Sequence, residues 1–115
     1  MTAQLAGREL DEAASFAMGW VFGMHPGKKS RNVWWRDGVK RQARRRYSND
    51  PMLLPEMLAW LGARGSFVTL QYFQHGPCYA TLTAKPCGTE AEGDTIFAAT
   101  ANLVVAVAAA REARP

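Results

Sequence analysis

From Cys78 to Ala84 the chain alternates with period two: Cys78, Ala80, Leu82 and Ala84 fall on one side, Tyr79, Thr81 and Thr83 on the other. That period belongs to an extended strand with one face buried. Phe67 to Gln74, rich in aromatic and branched residues, lies just before it, and His75-Gly76-Pro77 separates the two runs. The spacing predicts a β-hairpin, and a half-buried sheet of this kind needs apolar cover from other elements.

Helical periodicity supplies that cover. Arg8 to Trp20 places Leu10, Ala13, Ala14, Ala17 and Met18 at helical spacing, with Glu9, Asp11 and Glu12 in the first turn where the dipole favours negative charge. Gly19, Gly23, Pro26 and Gly27 then interrupt it, leaving Trp20-Val21-Phe22 as the helix end or a short extended piece. Asp50 is a good cap and Pro51 suits a first helical position, after which Leu53, Leu54, Met57, Leu58 and Leu61 share one face up to Gly62 and Gly65. Pro55 then has to lie in the first turn. A polar connection from Lys85 to Asp94 leads through Thr95-Ile96-Phe97 to a last helix, about Ala101 to Glu112, capped by Thr100. Leu103, Val104, Val107 and Ala108 line one side of it, and Ala106, Ala109 and Ala110 permit close approach of a neighbour. Strands and helices without βαβ alternation predict an α+β fold, an antiparallel sheet covered by helices.

The 115 residues form a single domain, 1–115, and 48% apolar composition suffices for a core. No run approaches the roughly 20 apolar residues that span a bilayer, and the first residues lack the order of a signal peptide, so the expectation is a soluble, intracellular protein with no membrane partner. Cys78 and Cys87 are too few for a disulfide scaffold, and no Cys/His cluster has zinc spacing. The reading is reduced thiols, no metal and no cofactor.

Charge is distributed unevenly. Between Lys28 and Arg46 stand nine basic residues against one acidic, Asp37, a net of +8; the other 96 residues, with five basic and nine acidic, come to −4. A local field of one sign concerns partners more than fold. Within this zone Asn32-Val33-Trp34-Trp35 suits a strand, Asp37-Gly38 signals a turn, and Val39 to Arg46 is open between strand, helix and loop. On a strand, Trp34 and Trp35 face opposite sides, which puts at least one in the core.

Three segments carry a resemblance. Leu5-Ala6-Gly7-Arg8-Glu9-Leu10-Asp11-Glu12-Ala13 with Met18-Gly19-Trp20, then Tyr47-Ser48-Asn49-Asp50, then Thr100-Ala101-Asn102-Leu103 opening a small-residue helix, together resemble the phage ABA sandwich domain family. There a GRxLD…MGW start, a YSxD-type tetrad and a TAPL-type terminal helix recur in this order. Asn102 stands where that pattern has Pro, and the basic zone lies outside the match. The resemblance implies a layered α/β/α sandwich and a phage protein working in the host cytoplasm; it supplies no catalytic residues.

Signatures of catalysis are lacking. His25 and His75 lie at turns, where imidazoles are ordinarily solvated; neither cysteine has a histidine at thiol-protease spacing; the serines lack a GxSxG elbow. Gly27-Lys28-Lys29-Ser30 lacks the earlier glycine of a phosphate loop. The expectation is no enzyme. Guanidinium forks match phosphate oxygens and aromatic faces stack on bases, so the basic zone suits a ligand combining both. The candidate contacts are Lys28, Lys29, Arg31, Arg36, Arg44, Arg45 and Arg46 for phosphate, with Trp34, Trp35 and Tyr47 for stacking. The leading reading is a non-enzymatic phage module for a small anionic, nucleotide-like ligand, a sponge for a bacterial immune signalling nucleotide. The alternatives are an accessory protein that binds nucleic acid and a structural homo-oligomer joined through the last helix. Against all three stands a basic run that is only a solvated face.

Overall fold

A computed structural model of the chain describes residues 6–24, 32–37, 39–41, 45–84 and 88–112, with the backbone alone at 24, 32, 33, 40, 41, 111 and 112. These form helix α1 (Gly7–Ala17), strands β1 (Val21–Met24), β2 (Asn32–Arg36) and β3 (Val39–Arg41), helix α2 (Leu54–Gly62), strands β4 (Phe67–Gln71), β5 (Cys78–Thr83) and β6 (Thr89–Gly93), and helix α3 (Ile96–Glu112). The strands make two antiparallel sheets, β1-β2-β3 and β4-β5-β6, and helices pack on the second. The fold is α+β.

The predicted hairpin is β4–β5, paired from Phe67 with Thr83 to Gln71 with Tyr79. Cys78, Ala80 and Leu82 are buried beneath α3, as their alternation requires. β6 was hidden in the polar connection. Its Glu90 and Glu92 pair with Thr81 and Tyr79 on the outer face, while Ala91 and Gly93 turn to the helix side. Gly93 is required there, because a Cβ would lie 2.5 Å from the backbone nitrogen of Ala99.

Helix α3 begins earlier than the sequence reading placed it. Thr95, not Thr100, is the cap: its Oγ1 accepts the Ala98 N–H at 3.1 Å. The Thr100 hydroxyl instead donates back along the helix to the Ile96 carbonyl at 2.6 Å. Ala99 to Val104 are all buried, so no side of the helix faces solvent over these turns. Contact with β5 and β6 as well as α1 and α2 explains this, since a helix surrounded by neighbours is buried all round. Asn102 satisfies its amide by donating to the Glu92 carbonyl at 3.1 Å.

The middle segment opens as expected with Asp50, whose Oδ1 accepts the Met52 N–H at 3.0 Å. Pro51–Leu53 is a 3-10 turn, and α2 follows with Pro55 in its first turn. At the end of α1, the Trp20 N–H donates to the Ser15 carbonyl and the Gly19 N–H to the Phe16 carbonyl, with Gly19 at φ +96°. This is a Schellman closure, which needs the left-handed residue that glycine supplies. It also turns Trp20 inward, where it is buried.

Candidate functional site

Four short segments converge beside the end of α1. Trp20 arrives through the Schellman turn. Arg36 ends β2, at the hairpin turn where Asp37 takes φ +50°. Arg45 precedes, and Tyr47 lies within, a turn in which Asn49 and Asp50 N–H groups donate to the Arg46 carbonyl at 3.1 and 2.9 Å. Asp11 on α1 fixes that turn from outside: its buried Oδ1 accepts the Ser48 N–H at 2.9 Å, and its own carbonyl accepts from the Ser15 hydroxyl at 2.7 Å. Glu56 comes from the first turn of α2, where the dipole favours a carboxylate.

Glu56 is the hub. Its Oε1 lies 3.3 Å from Arg36 Nη2 and 3.5 Å from Arg45 Nη2; its Oε2 accepts a short hydrogen bond from the Tyr47 hydroxyl. That hydroxyl in turn accepts from Trp20 Nε1 at 2.9 Å. The Arg36 and Arg45 guanidiniums lie 4.7 and 5.6 Å from the Trp20 ring centroid, within cation–π range. Arg36 Nη1 also donates to the Met18 carbonyl at 3.0 Å, placing a cation at the negative end of α1.

Electrostatically the cluster is unbalanced. Two guanidiniums contact one carboxylate, leaving one positive charge in excess among the side chains that meet at Glu56. The Arg45 Nε–H is buried and has no acceptor among the described residues. The arginine side chains are 27% and 17% exposed, so solvent reaches one end of each while the indole backs the other. Burial pushes the Tyr47 phenol from 10.0 up to about 12, helped by its hydrogen bond to Glu56 and the negative charge there; the Trp20 hydrogen bond and the Arg36 charge pull the other way.

The ten candidate residues separate. Arg36, Arg45 and Tyr47 meet in the cluster. Arg46 is adjacent in sequence and exposed. Trp34 is core, its ring centroid 5.1 Å from Phe16 and 4.9 Å from Phe22. Trp35, half-buried, faces the opposite side of β2 from Trp34 and Arg36. Tyr47 is fully buried, so its ring is spent on packing and its hydroxyl on Glu56. Lys28, Lys29, Arg31 and Arg44 lie outside the described residues. Sequence reasoning missed Trp20 and Glu56. The MGW string carried a signal for the first; an isolated glutamate nine residues beyond Tyr47 carried none for the second.

Of the other residues considered for chemistry, His75 is exposed and Cys78 is a buried free thiol, while His25 and Cys87 fall outside the described residues. Among the described residues no group of three His, Cys, Asp or Glu side chains is placed to hold a metal, and no helix is long and apolar enough to cross a membrane. No protein-family model, curated protein or solved structure matches the chain.

Proposed function

We propose that the protein is a non-catalytic module that binds a small phosphate-bearing, nucleotide-like ligand, its anionic group held by Arg36, Arg45 and Arg46. One observation carries this reading: Arg36 and Arg45, each partly exposed, share the single carboxylate of Glu56. An incoming phosphate supplies the missing negative charge, and charge-assisted hydrogen bonds to a guanidinium are the strong ones. Trp20 acts behind the arginines and not as a stacking surface, because it is buried. Trp34 and Tyr47 are also buried, and Trp35 faces the other side of β2 from Arg36, so the reading rests on the anionic group and not on stacking. In the phage setting that the sequence resemblance implies, such a module sequesters a bacterial signalling nucleotide.

The test is thermal-shift and calorimetric screening of the full chain against inorganic pyrophosphate, ADP-ribose and cyclic dinucleotides, with short oligonucleotides as a parallel arm. At least one small phosphate ligand is expected to stabilise the protein and to be recovered unchanged on denaturation. Arg46→Ala is the clean variant, since Arg45 also holds Glu56. Losing one charge-assisted hydrogen bond, about 1.5–3 kcal/mol, weakens binding roughly tenfold or more without lowering the melting temperature. Recovery of a converted product, or equal affinity in the variant, overturns the reading. Oligonucleotide binding with a log–log salt slope of several units replaces it with the nucleic-acid one.

A further inference from the structure

Strands β4 and β6 are the two edges of one sheet, and they are finished differently. An edge offers unpaired backbone N–H and C=O groups to any extended chain that meets it, and charged side chains are a common guard against this. β6 carries Glu90 and Glu92. β4 carries no charge and no proline, and the uncharged run extends from Gly65 to Gln74. On its helix side Val68 and Leu70 are only half-buried, although their partners on β5, Leu82 and Ala80, are buried. Phe67, Tyr72 and Phe73, within or just after the strand, are 58%, 74% and 48% exposed.

We propose that β4 pairs antiparallel with β4 of a second copy about a two-fold axis at Thr69, joining two three-stranded sheets into one of six. This goes beyond the ligand-binding reading and does not depend on it. With Thr69 opposite itself, Val68 stands opposite the partner's Leu70 and Phe67 opposite the partner's Gln71. Beyond the strand ends, Tyr72 and Phe73 come opposite the partner's Ser66 and Gly65, so large residues meet small ones. The half-exposed Val68 and Leu70 close against the same pair of the second copy, continuing the apolar helix-side layer across the axis.

Within the β4-β5-β6 sheet, charge selects this edge for self-pairing: two β6 edges would set glutamates against glutamates, and two β4 edges oppose no like charges. The uncharged edge of the other sheet, β1, is shorter, at four residues against five. A five-residue strand pair falls short of the roughly 800 Å² per partner of a stable interface, and the three exposed aromatic residues supply further apolar area beside it. Of the small α3 residues that the sequence offers for such a contact, Ala106 is buried in the chain's own core, which leaves Ala109 and Ala110 exposed near the helix end.

Light scattering and native mass measurement over a dilution series of the full chain test this. The expected result is a concentration-dependent dimer. Thr69→Lys, at an exposed position, sets two ammonium groups together at the axis and is expected to give a monomer, whereas Glu90→Lys on the other edge keeps the dimer. Thr69→Cys in a Cys87→Ser background is expected to form a disulfide-linked dimer under mild oxidation, since residues opposed across an antiparallel pair lie about 4.5–5.5 Å apart at Cα. A wild-type monomer at every concentration overturns the proposal, as does a dimer lost in Glu90→Lys but kept in Thr69→Lys. If Thr69→Lys fails to fold, the cysteine variant decides, and absence of the linked dimer overturns it.

Discussion

Strand β5 meets the rest of the molecule through Cys78, Ala80 and Leu82, every second residue buried beneath α3, whereas the described side chains of β2 include a buried indole, Trp34, and a guanidinium, Arg36, that bonds outside its own sheet. Both strands are central in three-stranded antiparallel sheets. The first is held by area removed from water, which is non-directional and spread over many contacts. The second relies in addition on a few directional bonds through Glu56, each of which needs its partner in place. The apolar sheet is therefore expected to suffer most from lost volume, and the basic sheet from lost partners.

The largest expected effect is on the apolar side. Leu103 is fully buried in α3, and Leu103→Ala is expected to lower unfolding free energy by about 2–5 kcal/mol in denaturant titrations. Next comes pH. Because the Tyr47 phenol is raised to about 12 in the folded chain and stands at 10 when unfolded, its contribution is complete below pH 10 and is lost as pH rises from 10 to 12. The loss is on the order of 2–3 kcal/mol. Tyr47→Phe is expected to be less stable at pH 8 by about 1–2 kcal/mol, through the orphaned Trp20 N–H, yet to show a shallower alkaline decline than the wild type. Equal declines in both proteins would remove Tyr47 from the account. Glu56→Gln keeps the shape and removes the charge; a cost of about 1 kcal/mol is expected, modest because the pairs are partly exposed. The smallest effect belongs to the outer face of the apolar sheet. Thr81→Val there is expected to stay within about 0.5 kcal/mol, and a larger loss would mean that this face is covered.

Legibility from sequence follows the same division. The hairpin and its buried face could be read because period two is a local property of β5, and the Asp50-Pro51 start because a cap acts over three residues. β6 could not, since its residues Thr-Glu-Ala-Glu-Gly owe their strand state to pairing with β5 and not to their own preference. The α3 boundary was misplaced because Thr95 and Thr100 are equally good caps in isolation. At the site, the alternation of Trp34 and Trp35 was legible, and of the ten residues grouped there Arg36, Arg45 and Tyr47 meet. Their convergence on Glu56 was not, being set by tertiary contacts across nine to twenty residues. Two of the three strings that carried the family resemblance meet here too: Asp11 binds Ser48, and Trp20 binds Tyr47. In this chain those residues are the joints between α1 and the turn that leads into α2.

Pyrophosphate titration of the Glu56→Gln variant beside the wild type separates an anion site from a network that only holds the fold. If the two guanidiniums await an anion, removing their one carboxylate lowers stability and tightens pyrophosphate binding at the same time. A variant that is less stable and binds pyrophosphate no better than the wild type would show that Arg36 and Arg45 serve the fold alone.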